Sequence, residues 1–229
     1  MKTVAFIPAR KGSKGIPGKN MKLFHGKPLV QWSIEQAIES KLFDKIVVSS
    51  DSEDILALGE KLGVTTIERQ EILAGDDVSL DEVLFDYFSR PENYCENVCL
   101  LQPTSPLRTV KDIQRSYKYI LKKKYEGVVG VTWNPIMGWV EGVASLGKHK
   151  TPFCLYKIDA RPNRQTRDDW YLENGAIYWF KHGIILNTGN RIGNPQFMKL
   201  YDMPLERSLE VDTPFDWYMA EAAYEYRPV

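Results

Sequence analysis

Four cationic side chains, Arg10, Lys11, Lys14 and Lys19, fall within ten residues, interleaved with Gly12, Gly15, Pro17 and Gly18 and preceded by Pro8. Glycines let successive backbone N–H groups turn into one concavity, and such a nest flanked by Arg and Lys attracts anions. Arg10 offers a planar fork suited to phosphate oxygens, whereas the lysines are mobile point charges. A polyphosphate is the natural occupant. The spacing has neither the Gly-Lys-Ser/Thr ending of a P-loop nor the G-x-G-x-x-G fingerprint, so a dinucleotide oxidoreductase is excluded. Composition alone leaves an ordinary basic turn as an equal alternative. Position favours the anion site, because the loop follows the apolar run Val4–Ile7, and open α/β sheets bind ligands beyond their strand ends.

Near the other end, Glu210 and Asp212 alternate along a short segment, which would project both carboxylates from one face. Hard oxygen ligands of this kind suit magnesium, which commonly takes one or two carboxylates plus substrate phosphates. From spacing alone, a charge pair ahead of a helix N-terminus is the stronger alternative. Between these ends lie Gln102, Thr104, Ser105 and Arg108, in a proline-stiffened turn after an apolar run. Their alternative is a turn and helix cap, which suits Thr109 and extends to Ser105; Thr109 with Asp112 three residues later resembles a capping box. Asn174 and Tyr178 flank Gly175-Ala176, and an amide with a phenol can bond a sugar. His25, His149 and His182 are scattered and assemble no catalytic set.

Ile7-Pro8-Ala9-Arg10 through Pro17-Gly18-Lys19-Asn20 closely resembles the signature of CMP-sialic acid synthetases, the acylneuraminate cytidylyltransferases. Leu101 to Thr109, Asn174 to Tyr178 and Glu210 to Thr213 resemble three further motifs of that family, in the family's order along nearly the whole chain. The resemblance implies transfer of CMP from CTP to the anomeric hydroxyl of a nonulosonic, sialic-type acid, with Mg²⁺ and release of pyrophosphate. It implies that Arg10, Lys14, Lys19 and Asn20 contact the nucleotide, that Arg10, Lys19 and Asp212 serve catalysis, and that Glu210 and Asp212 hold the metal. Arg69, Asp76 and Ser79 resemble a loop that contacts the base and sugar, with a plain surface loop nearly as good a reading. Gln102, Thr104, Arg164, Gln165, Asn174 and Tyr178 resemble the substrate-binding set. Two departures stand out. Glu210 occupies a position where most of the family carries aspartate, and Pro135-Ile136-Met137 has methionine where many members carry a lysine for the substrate carboxylate. Asn134-Pro135 with Trp139-Val140-Glu141 resembles members acting on bacterial nonulosonates such as legionaminic acid. The rivals are another sugar nucleotidyltransferase, acting on Kdo or a sugar 1-phosphate, and a non-catalytic nucleotide-binding module.

The elements that must position these residues read as alternating strand and helix. That pattern predicts an α/β fold, Rossmann-like, with a mostly parallel sheet flanked by helices. Strands are expected at Val4–Ile7, Lys45–Ser49, Val64–Ile67, Asn97–Leu101, Gly127–Val131, Ile177–Phe180 and Lys199–Met203. Helices are expected after Pro28, after Asp51 as cap, over Leu80–Tyr87, from Thr109 to the triplet Lys122-Lys123-Lys124, and from Pro214. A single domain over 1–229 is expected, with 133–171 as an inserted arm; the family resemblance makes that arm a homodimer contact. Thirty basic and thirty acidic residues cancel, which argues against nucleic-acid or membrane partners. Three cysteines without paired spacing read as free thiols of a reducing cytoplasm. The run Met1–Ile7 is too short for a signal peptide, and a cytoplasmic protein is expected.

Overall fold

The computed structural model describes residues 2–75, 77–134, 139–143, 150–154 and 170–226, with backbone alone for 139–143 and 150–154. The chain divides into two compact units, Met1–Thr132 with Glu173–Val229, and Trp133–Leu172.

The first unit is built on a seven-stranded sheet. Its elements in chain order are β1 (Thr3–Pro8), the short strands β2 (Leu23–Phe24) and β3 (Lys27–Pro28), α1 (Leu29–Ser40), β4 (Lys45–Ser50), α2 (Glu53–Lys61), β5 (Thr65–Glu68), α3 (Leu80–Phe88), β6 (Asn97–Leu100), α4 (Val110–Ile120) and β7 (Gly127–Trp133). The hairpin β8 (Trp139–Val143) and β9 (Lys150–Cys154) follows, then β10 (Tyr171–Lys181), α5 (His182–Thr188), β11 (Met198–Asp202) and α6 (Pro214–Glu225). The order across the main sheet is β11-β7-β10-β6-β1-β4-β5. β6, β1, β4 and β5 run parallel, as do β7 and β11, while β10 is antiparallel to β6.

Alternation along the strands explains the two covering layers. Ala5 and Ile7 of β1 point to the cluster formed with Val30, Ile34 and Ala37 of α1, Ile55 of α2 and Ile113 of α4. Val4 and Phe6 point the other way, to Val83, Leu84 and Phe88 of α3 and Ile185 of α5. A third cluster joins Ile16, Leu107 and Val211 to Phe24 and to Trp217 of α6. Those first three residues belong to the basic loop, the turn after β6 and the acidic segment, so one apolar floor underlies all three. Cys95 and Cys99 are buried thiols, and burial pushes Cys95 up to about 12. No described helix is long and apolar enough to cross a membrane.

Several elements differ from expectation for local reasons. The β2–β3 hairpin turns through His25 and Gly26, both at positive φ (45° and 82°), without the Asn-Gly signal that marks such turns. α4 stops at Ile120, before the lysine triplet. Asp51 does not cap α2; its Oδ1 instead accepts the Lys11 backbone N–H at 2.6 Å, and Ser52 is the N-cap residue. α5 is a short helix closed by Gly189 in the left-handed region. In the second unit, β8 and β9 pair antiparallel, and the Asn134 N–H donates to the Trp170 carbonyl at 2.8 Å.

Candidate active site

The basic loop leaves β1 and is fastened along its length. The Ala9 N–H donates to the Ser49 carbonyl at 2.9 Å, and the Asn20 amide nitrogen donates to the Arg10 carbonyl at 2.9 Å. Gly18, at φ 62°, opens a short 3₁₀ turn that delivers Lys19. Lys19 is buried, and its Nζ donates to the Val211 carbonyl at 2.7 Å and to Asp212 Oδ1 at 2.8 Å. Gly15 lies against the same segment so closely that a Cβ there would sit 2.0 Å from the Asp212 carbonyl oxygen. The basic loop and the acidic segment, almost two hundred residues apart in sequence, therefore form one wall.

Together they enclose a cavity of about 480 Å³. Arg10, Lys14, Lys19, Asn20, Arg69, Gln102, Thr104, Glu210 and Asp212 all line it, so the fold brings together most of the residues singled out in the sequence. Arg69 is buried; its Nε and Nη2 donate to Ser49 Oγ and carbonyl at 3.3 and 3.0 Å. Burial first, and then the neighbouring Arg10 charge, lower its pKa. Asn20 Oδ1 is buried and has no hydrogen-bond partner among the described residues. It is an acceptor, so it suits a hydroxyl or amino donor from a ligand better than a phosphate oxygen.

Thr104 Oγ1 donates to Glu210 Oε1 at 3.1 Å. Burial, and next the Asp212 charge, push the Glu210 carboxyl above the usual carboxylate range, against the Thr104 bond and the charges of Lys19 and Arg191. Two crowded carboxylates of hard oxygen are what a divalent cation would relieve. Among the described residues no group of three or more His, Cys, Asp or Glu side chains gathers, so most of a cation's remaining ligands would come from phosphate and water. The donor set fits magnesium.

Gln102 Nε2 donates to the Gly175 carbonyl at 2.9 Å. Gly175 sits at φ 66°, and a Cβ on it would meet the Glu210 carboxylate at 2.7 Å. The β10 backbone bends there to make room for the acid. Asn174 shapes that bend. It is buried, its Oδ1 accepts the Ala176 N–H at 3.1 Å and its Nδ2 donates to Ser208 Oγ at 3.0 Å. Its amide is thus spent inside the protein, and Asn174 is not among the residues lining the cavity. Tyr178 is also buried and outside the lining; its hydroxyl donates to Glu173 Oε2 at 2.9 Å. Ser79 caps α3 in a capping box with Glu82, at 3.2 and 2.7 Å. Arg108, expected at a ligand-facing turn, points into the core. Asp76, Arg164, Gln165 and Pro135 to Met137 lie outside the described residues.

Residues 4–203 match the model of the cytidylyltransferases. The chain belongs to the cytidylyltransferase family. It is 34% identical to an N-acylneuraminate cytidylyltransferase of Escherichia coli O18:K1:H7 over 96% of this chain and 51% of that protein. It is 32% identical to a CMP-N,N'-diacetyllegionaminic acid synthase of Legionella pneumophila over 98% of this chain and 97% of that one. The chain spans about half the length of the E. coli relative and of one from Danio rerio. Among solved structures it resembles a CMP:2-keto-3-deoxy-manno-octonic acid synthetase complexed with CTP, at TM-score 0.71 and 17% identity over 98% of this chain and 99% of that one. A 4-diphosphocytidyl-2C-methyl-D-erythritol synthase from Anaerococcus prevotii follows at TM-score 0.68, 14% identity and 99% coverage of both chains. Both likenesses concern the fold.

Two features of this cytidylyltransferase escaped the sequence. Leu73, Val78, Leu80 and Val83 give the cavity an apolar side. Their signal was present, but the same residues also serve the core cluster of α3, and spacing does not separate the two uses. The charge of Arg191, in a turn whose sequence carries no motif, offsets part of the upward shift of Glu210.

Proposed function

We propose that this chain transfers CMP from CTP to the anomeric hydroxyl of a nonulosonic acid, releasing pyrophosphate with the help of Mg²⁺. The observation that carries the proposal is the shared cavity in which Lys19 ties the basic loop to the carboxylate pair. In it Arg10, Lys14 and Lys19 neutralise the phosphates, and Asn20 takes a donor of the nucleotide. Arg69 and the apolar side formed by Leu73, Val78 and Leu80 bound the nucleoside end, while Gln102 and Thr104 face the sugar. The acid's hydroxyl oxygen bonds to the α-phosphorus and gives up its proton to water, as the bond from the α-phosphorus to the oxygen of the leaving pyrophosphate breaks, so most of the catalysis is positioning and charge neutralisation. Glu210 and Asp212 would hold the Mg²⁺, which when bound offsets the charge growing on the leaving pyrophosphate.

An acidic nine-carbon sugar as acceptor is supported by the names of the E. coli and Legionella relatives. The Legionella protein matches along nearly its full length, which favours a bacterial legionaminic-type acid. A homodimer, with 133–171 as its arm, and a cytoplasmic location belong to the same proposal. They are supported by the family resemblance and the buried free thiols.

The test is pyrophosphate release from CTP and Mg²⁺ across a panel of nonulosonic acids. One acid is expected to drive release, and EDTA to stop it. Tight CTP binding with no release from any acid would favour the nucleotide-binding module instead. The loop makes a second prediction. Gly15→Ala puts a methyl into the Asp212 carbonyl, and it is expected to weaken CTP binding at least about tenfold in calorimetric titration. Unchanged affinity would remove this loop from the phosphate site.

A further inference from the structure

Glu210 reaches the cavity from a segment, 208–212, that belongs to no helix or strand. A glutamate has one more rotatable bond than an aspartate, so its carboxylate loses more freedom when it is held in one direction. Its neighbours must do the holding. On one side stands the turn after β6, where Thr104 Oγ1 donates to Glu210 Oε1 at 3.1 Å and the Thr104 carbonyl accepts the Val211 N–H at 2.7 Å. On the other side stands β10. A Cβ on Gly175 would lie 2.7 and 2.9 Å from the two Glu210 carboxylate oxygens, so the acid rests directly on the bend in that strand.

Asn174 links the bend to the segment that carries Glu210. Its Oδ1 accepts the Ala176 N–H at 3.1 Å, which closes the turn around Gly175 at φ 66°. Its Nδ2 donates to Ser208 Oγ at 3.0 Å, two residues before Glu210, and Ser208 Oγ donates on to the Pro204 carbonyl at 2.9 Å. The Asn174 carbonyl accepts from Ser105 Oγ at 3.3 Å, and the Gly175 carbonyl accepts from Gln102 Nε2 at 2.9 Å. Strand β7 leaves room for the amide, since a Cβ on Gly130 would meet Asn174 Oδ1 at 2.7 Å. Asn174 and Ser208 are both buried, and neither lines the cavity. One buried amide thus braces the floor under the Glu210 carboxylate and the backbone leading to it.

We propose that Asn174 is a positioning residue for Glu210, acting through Gly175 on one side and Ser208 on the other to keep the carboxylate aimed at the divalent cation. The role deepens the CMP-transfer reading, on which it rests, and replaces a sugar contact for Asn174. Partners that orient a metal-binding side chain set its affinity from outside the coordination sphere.

The experiment measures Kd for CTP by calorimetric titration without the acid, once with Mg²⁺ and once with EDTA. The ratio of the two is the gain that the metal supplies. Asn174→Ala and Ser208→Ala are each expected to raise Kd with Mg²⁺ about tenfold and to leave Kd in EDTA near wild type. The double variant should lose no more than the larger single loss, because both changes remove one tie. In turnover, half-saturating Mg²⁺ should rise in step, with KM for the acid at saturating Mg²⁺ within about threefold of wild type. Ser208→Ala leaves Asn174 in place, so its effect cannot be a lost sugar contact, and it decides alone should Asn174→Ala not fold. Asn174→Ala that raises KM for the acid and keeps the metal's gain would overturn the proposal in favour of a direct sugar contact. An equal rise of Kd in EDTA would overturn it too, as a general loss of the nucleotide site. Wild type with neither a gain from Mg²⁺ nor turnover would defeat the CMP-transfer reading, and this role with it. A wild-type gain that survives both substitutions would defeat the role of Asn174 alone.

Discussion

Asp212→Asn is expected to lower the rate of pyrophosphate release by roughly 10²–10³-fold, the range found when one preorganised electrostatic group is removed from an active site. The change is a clean one. Asp212 is 62% exposed, so its salt bridge to Lys19 contributes little to stability, about 1 kcal/mol at most. Asparagine keeps an oxygen to accept from Lys19 Nζ, so the buried ammonium is not stranded, and Val211 still accepts its second bond. What asparagine lacks is the negative charge that would hold a divalent cation. Urea unfolding should therefore overlay wild type while turnover collapses. Asp86→Asn, which removes a carboxylate paired with Arg90 on the outside of α3, controls for loss of a surface charge and should leave turnover alone. If Asp212→Asn keeps more than about a tenth of the wild-type rate, the carboxylate pair is not the metal site.

Most of the frame and of the cavity was legible before folding because local chemistry decided it. β1 and β4 are apolar on both faces, and the boxes at Thr109–Asp112 and Thr213–Asp216 start α4 and α6 where Thr, Pro and Asp announce them. Cavity-lining residues such as Lys19, Gln102 and Asp212 stood out because their types and motif context suit phosphate and sugar. What stayed hidden depended on partners distant in sequence. Nothing near Asn174 says that its amide will be consumed by Ala176 and Ser208 to bend β10. Ser79 carries the pattern of a helix cap, Ser-x-x-Glu, and it caps α3. The Glu210 departure has a steric counterpart in Gly175, whose missing Cβ leaves room for that carboxylate.

Arg108 is the residue whose inward turn should matter most to stability. It is 1% exposed, and the hydrogen bonds of its guanidinium go to neutral acceptors. Nε and Nη2 donate to Gln36 Oε1 at 3.1 and 2.9 Å, Nη2 also donates to Ser33 Oγ at 2.7 Å, and Nη1 donates to the Ala176 carbonyl. Burial lowers its pKa to about 10, so it stays charged at neutral pH. The fork reaches the site through its partners. Ser33 Oγ passes a hydrogen bond to the Gln102 carbonyl at 3.3 Å, and Gln36 Nε2 donates to the carbonyls of Pro106 and Arg108 at 3.0 and 2.6 Å. Arg108→Met keeps the apolar stem but leaves buried acceptors on Ala176 and Gln36 without donors, each worth about 1–3 kcal/mol. Relief of the buried charge offsets part of this. A net loss of about 3 kcal/mol is expected, a fall of roughly 6–12 °C in Tm for a chain of this size. Arg108→Lys should not rescue it, because one ammonium cannot span Ser33, Gln36 and Ala176 together. Urea titration decides the matter, with the midpoint falling and the slope unchanged. A midpoint near wild type for either variant would mean that helix α1 and strand β10 hold the Gln102 turn without the guanidinium.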